Sequence, residues 1–280
     1  MSTPKIWLIT GASSGFGRAL TQAAIDAGDT VVAVARRTAA LEDLVAAHPD
    51  RIETIALDVT DTTRVDAVVG DVVARHGRID VLVNNAGRTH VGAVEETTDA
   101  ELRALFDLHV FGPAALIRAV LPHMRARRAG AIVQMSSVGG QLSFAGFGAY
   151  SATKFALEGM SEALAAEVEP YGITVLIVEP GAFRTGLFGP GAAAFSTDSG
   201  RYTDTVGATR TMVSGGDGTQ AGDPAKAAAA IRAALAAEKA PLRLPLGADA
   251  VDAVLGHLDA VRGDVTTWET VSRATAVDEH

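Results

Sequence analysis

Tyr150 and Lys154 stand four residues apart at the head of a helical segment, in the run Gly148-Ala149-Tyr150-Ser151-Ala152-Thr153-Lys154. On a helix that spacing puts both side chains on one face. A phenol beside an ammonium is pushed toward phenolate, because the opposite charge favours the charged form. An unperturbed Tyr titrates near ~10, too high for easy proton exchange at neutral pH. A neighbouring Lys brings it into range for acid–base work. Taken alone, the pair fits a solvated Tyr and Lys on a helix surface better than it fits chemistry. The elements around it must decide.

Those elements alternate. Lys5 to Thr10 is an apolar run that stops at a glycine, the mark of a buried strand. Gly11, Ser13, Ser14, Phe16 and Gly17 make a Gly-rich turn, and a helical pattern follows from Arg18 to Ala27. Strand, glycine turn and helix form a phosphate cradle, since glycines allow close backbone approach and a helix N-terminus offers free N–H groups. Thr30 to Ala35 is a second strand, with Arg36 and Arg37 at its end. In a dinucleotide fold this end meets the adenosine ribose, where an acid selects NAD and a base accommodates the 2′-phosphate of NADP. No Asp or Glu occurs there before Glu42. NADP(H) is therefore expected over NAD(H).

A third strand, Ile52 to Leu57, ends at Asp58 and Val59; the acid either meets the adenine amino group or caps a helix near Asp61. Asp61 to His76 reads as a helix, and Ile79 to Val83 as a fourth strand that closes on Asn84, Asn85, Ala86 and Gly87. Asp99 to about Arg128 reads as one long helix with Pro113 inside it, which deprives the His109 carbonyl of its helical donor. A fifth strand, Ala131 to Met135, closes on Ser136 and Ser137. After the Tyr150 to Tyr171 helix comes a sixth strand, Ile173 to Val178, then Pro180, Gly181, Phe183 and Thr185. Residues 186–222 lack periodicity and read as a lid. A helix from Pro224 to about Glu238, a strand from Leu242 to Leu246 and a helix from Gly247 to Val261 follow, the tail to His280 being indeterminate.

The alternation predicts an α/β, doubly wound parallel sheet with helices on both faces, in one domain spanning 1–280. Ligands then bind at the carboxyl ends of the strands, where Gly11, Arg36, Asp58, Asn84, Ser137 and Thr185 all fall. Composition sets limits. A formal charge of −9 argues against nucleic acid as partner, and the absence of cysteine excludes thiolate metal sites. The apolar run Ile6 to Ile9 is too short for a signal peptide core, and no stretch reads as a membrane span of ~20 apolar residues, so a soluble, cytoplasmic protein is expected.

Thr10–Gly17 as T-G-x-x-x-G-x-G, Asn84–Gly87 as N-N-A-G, Ser137 thirteen residues before Tyr150, and Pro180–Thr185 as P-G-x-x-x-T together resemble the short-chain dehydrogenase/reductase family. The resemblance covers residues 5 to about 185, and loosely to 246. It implies a seven-stranded Rossmann-type sheet and NAD(P)-dependent interconversion of a carbonyl and an alcohol. It also implies roles. Tyr150 would be the acid/base. Lys154 would lower its pKa and hold the nicotinamide ribose. Ser137 (rather than its neighbour Ser136) would hydrogen-bond the substrate oxygen, and Thr185 would hold the carboxamide. A homodimer or homotetramer joined through flanking helices is implied too, with Phe155, Leu157, Met160 and Leu164 as apolar surface.

His109 departs from the family, which usually carries Asn in that place as the fourth catalytic member. Its imidazole either fills the Asn's space or joins a proton relay and adds a titration near ~6.5. Phe144, Phe147, Phe183, Leu187 and Phe188 predict an apolar substrate side, with Arg88 and Arg184 as solvated surface or contacts to an acidic group. An epimerase, a dehydratase, a reductase of carrier-bound acyl chains and a non-catalytic NADP sensor are the rival readings.

Overall fold

The computed structural model of the protein describes residues 3–277; residues 278–280 of the expected C-terminal extension lie outside the described residues. The strands are β1 (Ile6–Thr10), β2 (Thr30–Ala35), β3 (Ile52–Ala56), β4 (Val81–Asn84), β5 (Thr89–Val91), β6 (Gly130–Met135), β7 (Ile173–Pro180), β8 (Ala193–Phe195) and β9 (Arg243–Leu246). The helices are α1 (Gly15–Asp26), α2 (Glu42–Ala47), α3 (Val65–His76), α4 (Asp99–Phe106), α5 (Gly112–Arg127), α6 (Gly148–Val168), α7 (Thr203–Gly215), α8 (Pro224–Ala236) and α9 (Ala248–Arg273).

Neighbouring residues of β1 serve two different cores. Ile6 and Leu8 pack with α3, α5 and α6, whereas Trp7 and Ile9 pack with α1 and α8. Strand side chains alternate across the sheet, so a strand covered on both faces must be apolar throughout. That is why these strands read as continuous apolar runs. The main sheet is parallel, in the order β3-β2-β1-β4-β6-β7-β9. The order reverses at β1, and the strand ends on either side of it open a crevice.

Four expectations change. The lid is structured: β8 pairs in parallel with β5 in a small second sheet, and α7 follows. α7 buries only Val206 and Val213 among Thr, Gly and Ser, too sparse a stripe to read as a helix. The last helix, α9, runs on to Arg273, past the expected Val261. The long helix around Pro113 is three pieces: α4, a π-helical turn at Asp107–Phe111, and α5. Together they make a run from Asp99 to Arg127 that is long and apolar enough, by length and composition, to cross a membrane (mean hydropathy 1.5). In the fold its apolar face lies on the core through Leu116, Val120 and Met124. Finally, α6 offers little free apolar surface. Leu157 and Leu164 are buried and Met160 packs against the core, which leaves Phe155 exposed.

Candidate functional site

The strand ends and their following loops enclose a cleft of about 660 Å³. At its floor is the turn between β1 and α1. Ser14, the N-cap of α1, is extended and makes no side-chain cap, and no acid lies in the first turn. The helix N-terminus is therefore left open to an anion. Gly11 holds φ +62°, and a Cβ there would lie 2.9 Å from the Ala86 Cα. Thr10 Oγ1 accepts the N–H of Asn85 (2.9 Å) and of Ala86 (3.1 Å), while Asn85 Nδ2 donates to the Thr10 carbonyl (2.9 Å). These bonds lock the β4 loop to the glycine turn. They also separate two asparagines that the sequence leaves alike. Asn85 lines the cleft; Asn84 is buried, its amide donating to Gln134 Oε1 (2.8 Å). Gly17 likewise does not line the cleft: it is needed because a Cβ would sit 2.3 Å from the Gly11 carbonyl oxygen.

Ser13, Ser14 and Phe16 line the same end, as do Arg36, Arg37, Asp58 and Val59. Asp58 does not cap a helix. It accepts the Thr60 N–H (3.0 Å) and hydroxyl (2.8 Å). Burial works against the charged carboxylate, but these bonds and the nearby Arg36 hold its pKa below the usual value. Arg36 and Arg37 share the cleft with the uncapped helix end, and guanidiniums and free N–H groups both suit an anion such as a phosphate.

At the other end, β6, α6 and the π-turn bring Ser137, Tyr150, Lys154 and His109 to one wall. Ser137 Oγ accepts the Gly139 N–H (3.0 Å). Lys154 Nζ donates to the Met135 carbonyl (2.8 Å) and lies 5.7 Å from the Tyr150 ring centroid. Tyr150 and Lys154 are both buried. The spacing alone predicts a lowered Tyr150 pKa; the structure gives the opposite direction. Burial pushes the phenol up, opposed by the Ser137 hydroxyl, and the same burial pushes Lys154 down to about 8. Desolvation outweighs attraction here because the ammonium is turned to a backbone carbonyl.

His109 is 1% exposed. Its Nε2 accepts the Arg88 N–H (3.2 Å), so Nδ1 carries the hydrogen and donates to Thr153 Oγ1 (2.8 Å), which in turn donates to the Tyr150 carbonyl (2.7 Å). Burial, then the charges of Lys154 and Arg88, hold its pKa well below 6.5. The ring is a neutral strut, edge-on to Tyr150 at 5.7 Å. Pro113 withholds the helical N–H from the His109 carbonyl, and the backbone bonds across the π-turn instead, from Gly112 N–H to the Asp107 carbonyl.

Ala86, Gly87, Pro180, Gly181, Phe183 and Thr185 also line the cleft, with Leu187 and Phe188 from the lid. Asp249, in the first turn of α9, accepts the Ala182 N–H (2.7 Å) and so fixes the Pro180–Thr185 loop. Phe144 and Phe147 lie off the lining, the latter packed under the lid with Val206 and Val213. Arg88 lines the cleft, whereas Arg184 does not; its Nε donates to the Gln220 carbonyl (2.5 Å). Gln220 was not legible in the sequence: it enters the cleft from the lid, and its buried Oε1 has no partner among the described residues.

The chain is similar to known proteins along its length. The family model described as short chain dehydrogenase matches residues 5–193. A short-chain dehydrogenase from Streptomyces avermitilis, of known crystal structure, is 67% identical with a TM-score of 0.93, covering 99% of this chain and 100% of that one. Oxidoreductase BOA17 of Botryotinia fuckeliana (strain B05.10) is 36% identical over 273 residues, 97% of this chain and 99% of its own length. The crystal structure of a metagenomic short-chain oxidoreductase in complex with NADP is 34% identical with a TM-score of 0.60, covering 64% of this chain and 83% of that one.

Proposed function

The chain belongs to the short chain dehydrogenase family, and within it we propose that it interconverts a ketone or aldehyde and an alcohol with NADP(H). The observation that carries this reading is the sharing of one cleft: Ser137, Tyr150 and Lys154 stand at one end, and the open α1 terminus with Arg36 and Arg37 at the other. The NADP bound by the metagenomic relative supports the cofactor class.

Gly11, Ser13, Ser14 and the α1 N-terminus would hold the pyrophosphate, Arg36 and Arg37 the 2′-phosphate, and Thr185 the carboxamide. When bound, the dinucleotide supplies or takes the hydride at the carbonyl carbon. In reduction the Tyr150 phenol gives its proton to the carbonyl oxygen, and the Ser137 hydroxyl donates a hydrogen bond to the same oxygen as charge grows there. The raised pKa of Tyr150 keeps it protonated and ready to donate. Lys154, half neutral near pH 8, carries its charge beside Tyr150 at neutral pH and would hold the ribose hydroxyls of the bound dinucleotide. Phe183, Leu187 and Phe188 favour an apolar substituent on the substrate.

The test is NADPH oxidation over a panel of apolar ketones and aldehydes. Tyr150→Phe lowers kcat/KM by about 10²–10⁴-fold, and Arg36→Asp shifts preference toward NADH. Cofactor binding without turnover across the panel would make the protein a sensor instead. Turnover without net cofactor change would make it an epimerase or dehydratase.

A further inference from the structure

α9 leaves the body of the protein after its first two turns. Ala250 and Val254 are buried. From Leu258 to Arg273 every residue is exposed, a projection of roughly 24 Å at 1.5 Å per residue. This segment is a poor helix on its own. It contains Gly263, Val261, Val265, Val271, Thr266, Thr267 and Thr270, all weak helix formers. A helix this short and this weak needs packing to persist in water.

Its apolar residues show what it packs with. Val251, Val254, Leu258, Val261, Val265 and Trp268 follow the alternating three–four spacing of a coiled-coil seam. Leu258 is 47%, Val265 65% and Trp268 62% exposed. Charges flank the seam. Arg262 and Glu269 lie one heptad apart on one side, and Asp264 lies on the other. In an antiparallel pair like flanks meet. Arg262 then faces Glu269 of the second copy, twice over by symmetry, with Val265 against the other copy's Trp268 and Asp264 beside the other copy's Val271. A parallel pair would set Asp264 against Glu269, a like-charge contact. The helix bears Asp249, Asp252, Asp259, Asp264 and Glu269 against Arg262 and Arg273, the wrong sign for an anionic membrane surface.

We propose that α9 is a self-association element that pairs antiparallel, about a two-fold axis, with α9 of a second copy of this chain. The interface is isologous and leaves both clefts outside it.

Sedimentation equilibrium of the full chain gives the dimer mass or a multiple of it. The pair Leu258→Asp with Val265→Asp halves the mass, while circular dichroism and thermal melting show the body still folded. Arg262→Glu alone weakens association at least tenfold, and adding Glu269→Arg restores it. The chain has no cysteine, so single cysteines report the geometry. Val265→Cys, in the seam near the axis, is joined by a short bis-maleimide; Val251→Cys, in the seam roughly 45 Å from its mate by helix rise, is not. Cross-linking at both positions would overturn the antiparallel arrangement. A monomer at all concentrations, an assembly unmoved by the Asp substitutions, or binding of the monomer to phosphatidylcholine vesicles would overturn the proposal.

Discussion

The imidazole of His109 is held on both sides, by the Arg88 N–H and by the Thr153 hydroxyl. With its pKa well below 6.5, it does not titrate where the enzyme would work. His109→Asn should therefore leave the shape of the pH–rate profile unchanged through pH ~6.5. A limb near ~6.5 that vanishes in the variant would put the ring back into a relay. Behind Lys154 lies a second buried group. Arg243 Nε sits 3.0 Å from Glu158 Oε2 and 3.5 Å from Glu179 Oε1, and Gln141 Nε2 donates to the same Glu179 oxygen (2.7 Å). Among the described residues, Glu158 Oε1 and Glu179 Oε2 are buried without partners, which one shared proton would satisfy. Burial lifts Glu179 to about 7. Unfolded, it would titrate near ~4.3. Between those values the folded state holds a proton that the unfolded state has released, so stability falls as pH rises through the window. Urea midpoints compared at about pH 5 and pH 8 should fall less for Glu179→Gln than for the parent. Equal slopes would show that Glu179 ionises normally. Sequence spacing marked Tyr150 and Lys154 but not this network, since its members come from α6, β7 and β9 and meet only in the fold.

At the scale of elements, the lid is the part least visible beforehand. Glu96, in the turn before α4, accepts the Ser199 N–H (2.8 Å) and hydroxyl (2.7 Å) and pairs with Arg210 of α7 (2.8 Å). The Ser199 bonds, with Arg210, hold Glu96 down to about 2, so acid does not release this latch above that pH. Arg210 also donates to the Ser196 carbonyl (3.0 Å), tying α7 to the end of β8. Arg210→Ala should loosen α7 over the substrate side, raising KM severalfold while kcat changes little. A fall in kcat with KM unmoved would mean that the lid shapes the chemistry rather than the pocket. The elements that were legible, β1 to β4, β6 and β7 with the helices α1, α3 and α6, are those with a dense apolar period. β5, β8 and α7 were not, because three-residue strands and a stripe of two valines carry too little pattern. The π-turn escaped for another reason: Pro113 marks a fault in the helix, but how the backbone absorbs it is decided by what packs around His109.

For the molecule as a whole, the parallel sheet explains why residues scattered from Gly11 to Thr185 form one site. Each ends a strand, and all the strands point the same way. α9 serves the site and the surface at once. Its first turn fixes the Pro180–Thr185 loop through Asp249, and its remainder presents an exposed apolar seam. The sequence by itself determined the doubly wound sheet, the glycine turn and the Tyr150–Lys154 pair, because these rest on periodicity and local spacing. The tertiary structure alone decided which asparagine enters the cleft, that Gln220 reaches it from the lid, that burial raises Tyr150 where its neighbour's charge would lower it, and that α6 keeps its leucines inside while α9 exposes its own. Each of these depends on what a side chain meets from distant parts of the chain, and on how much water that contact removes.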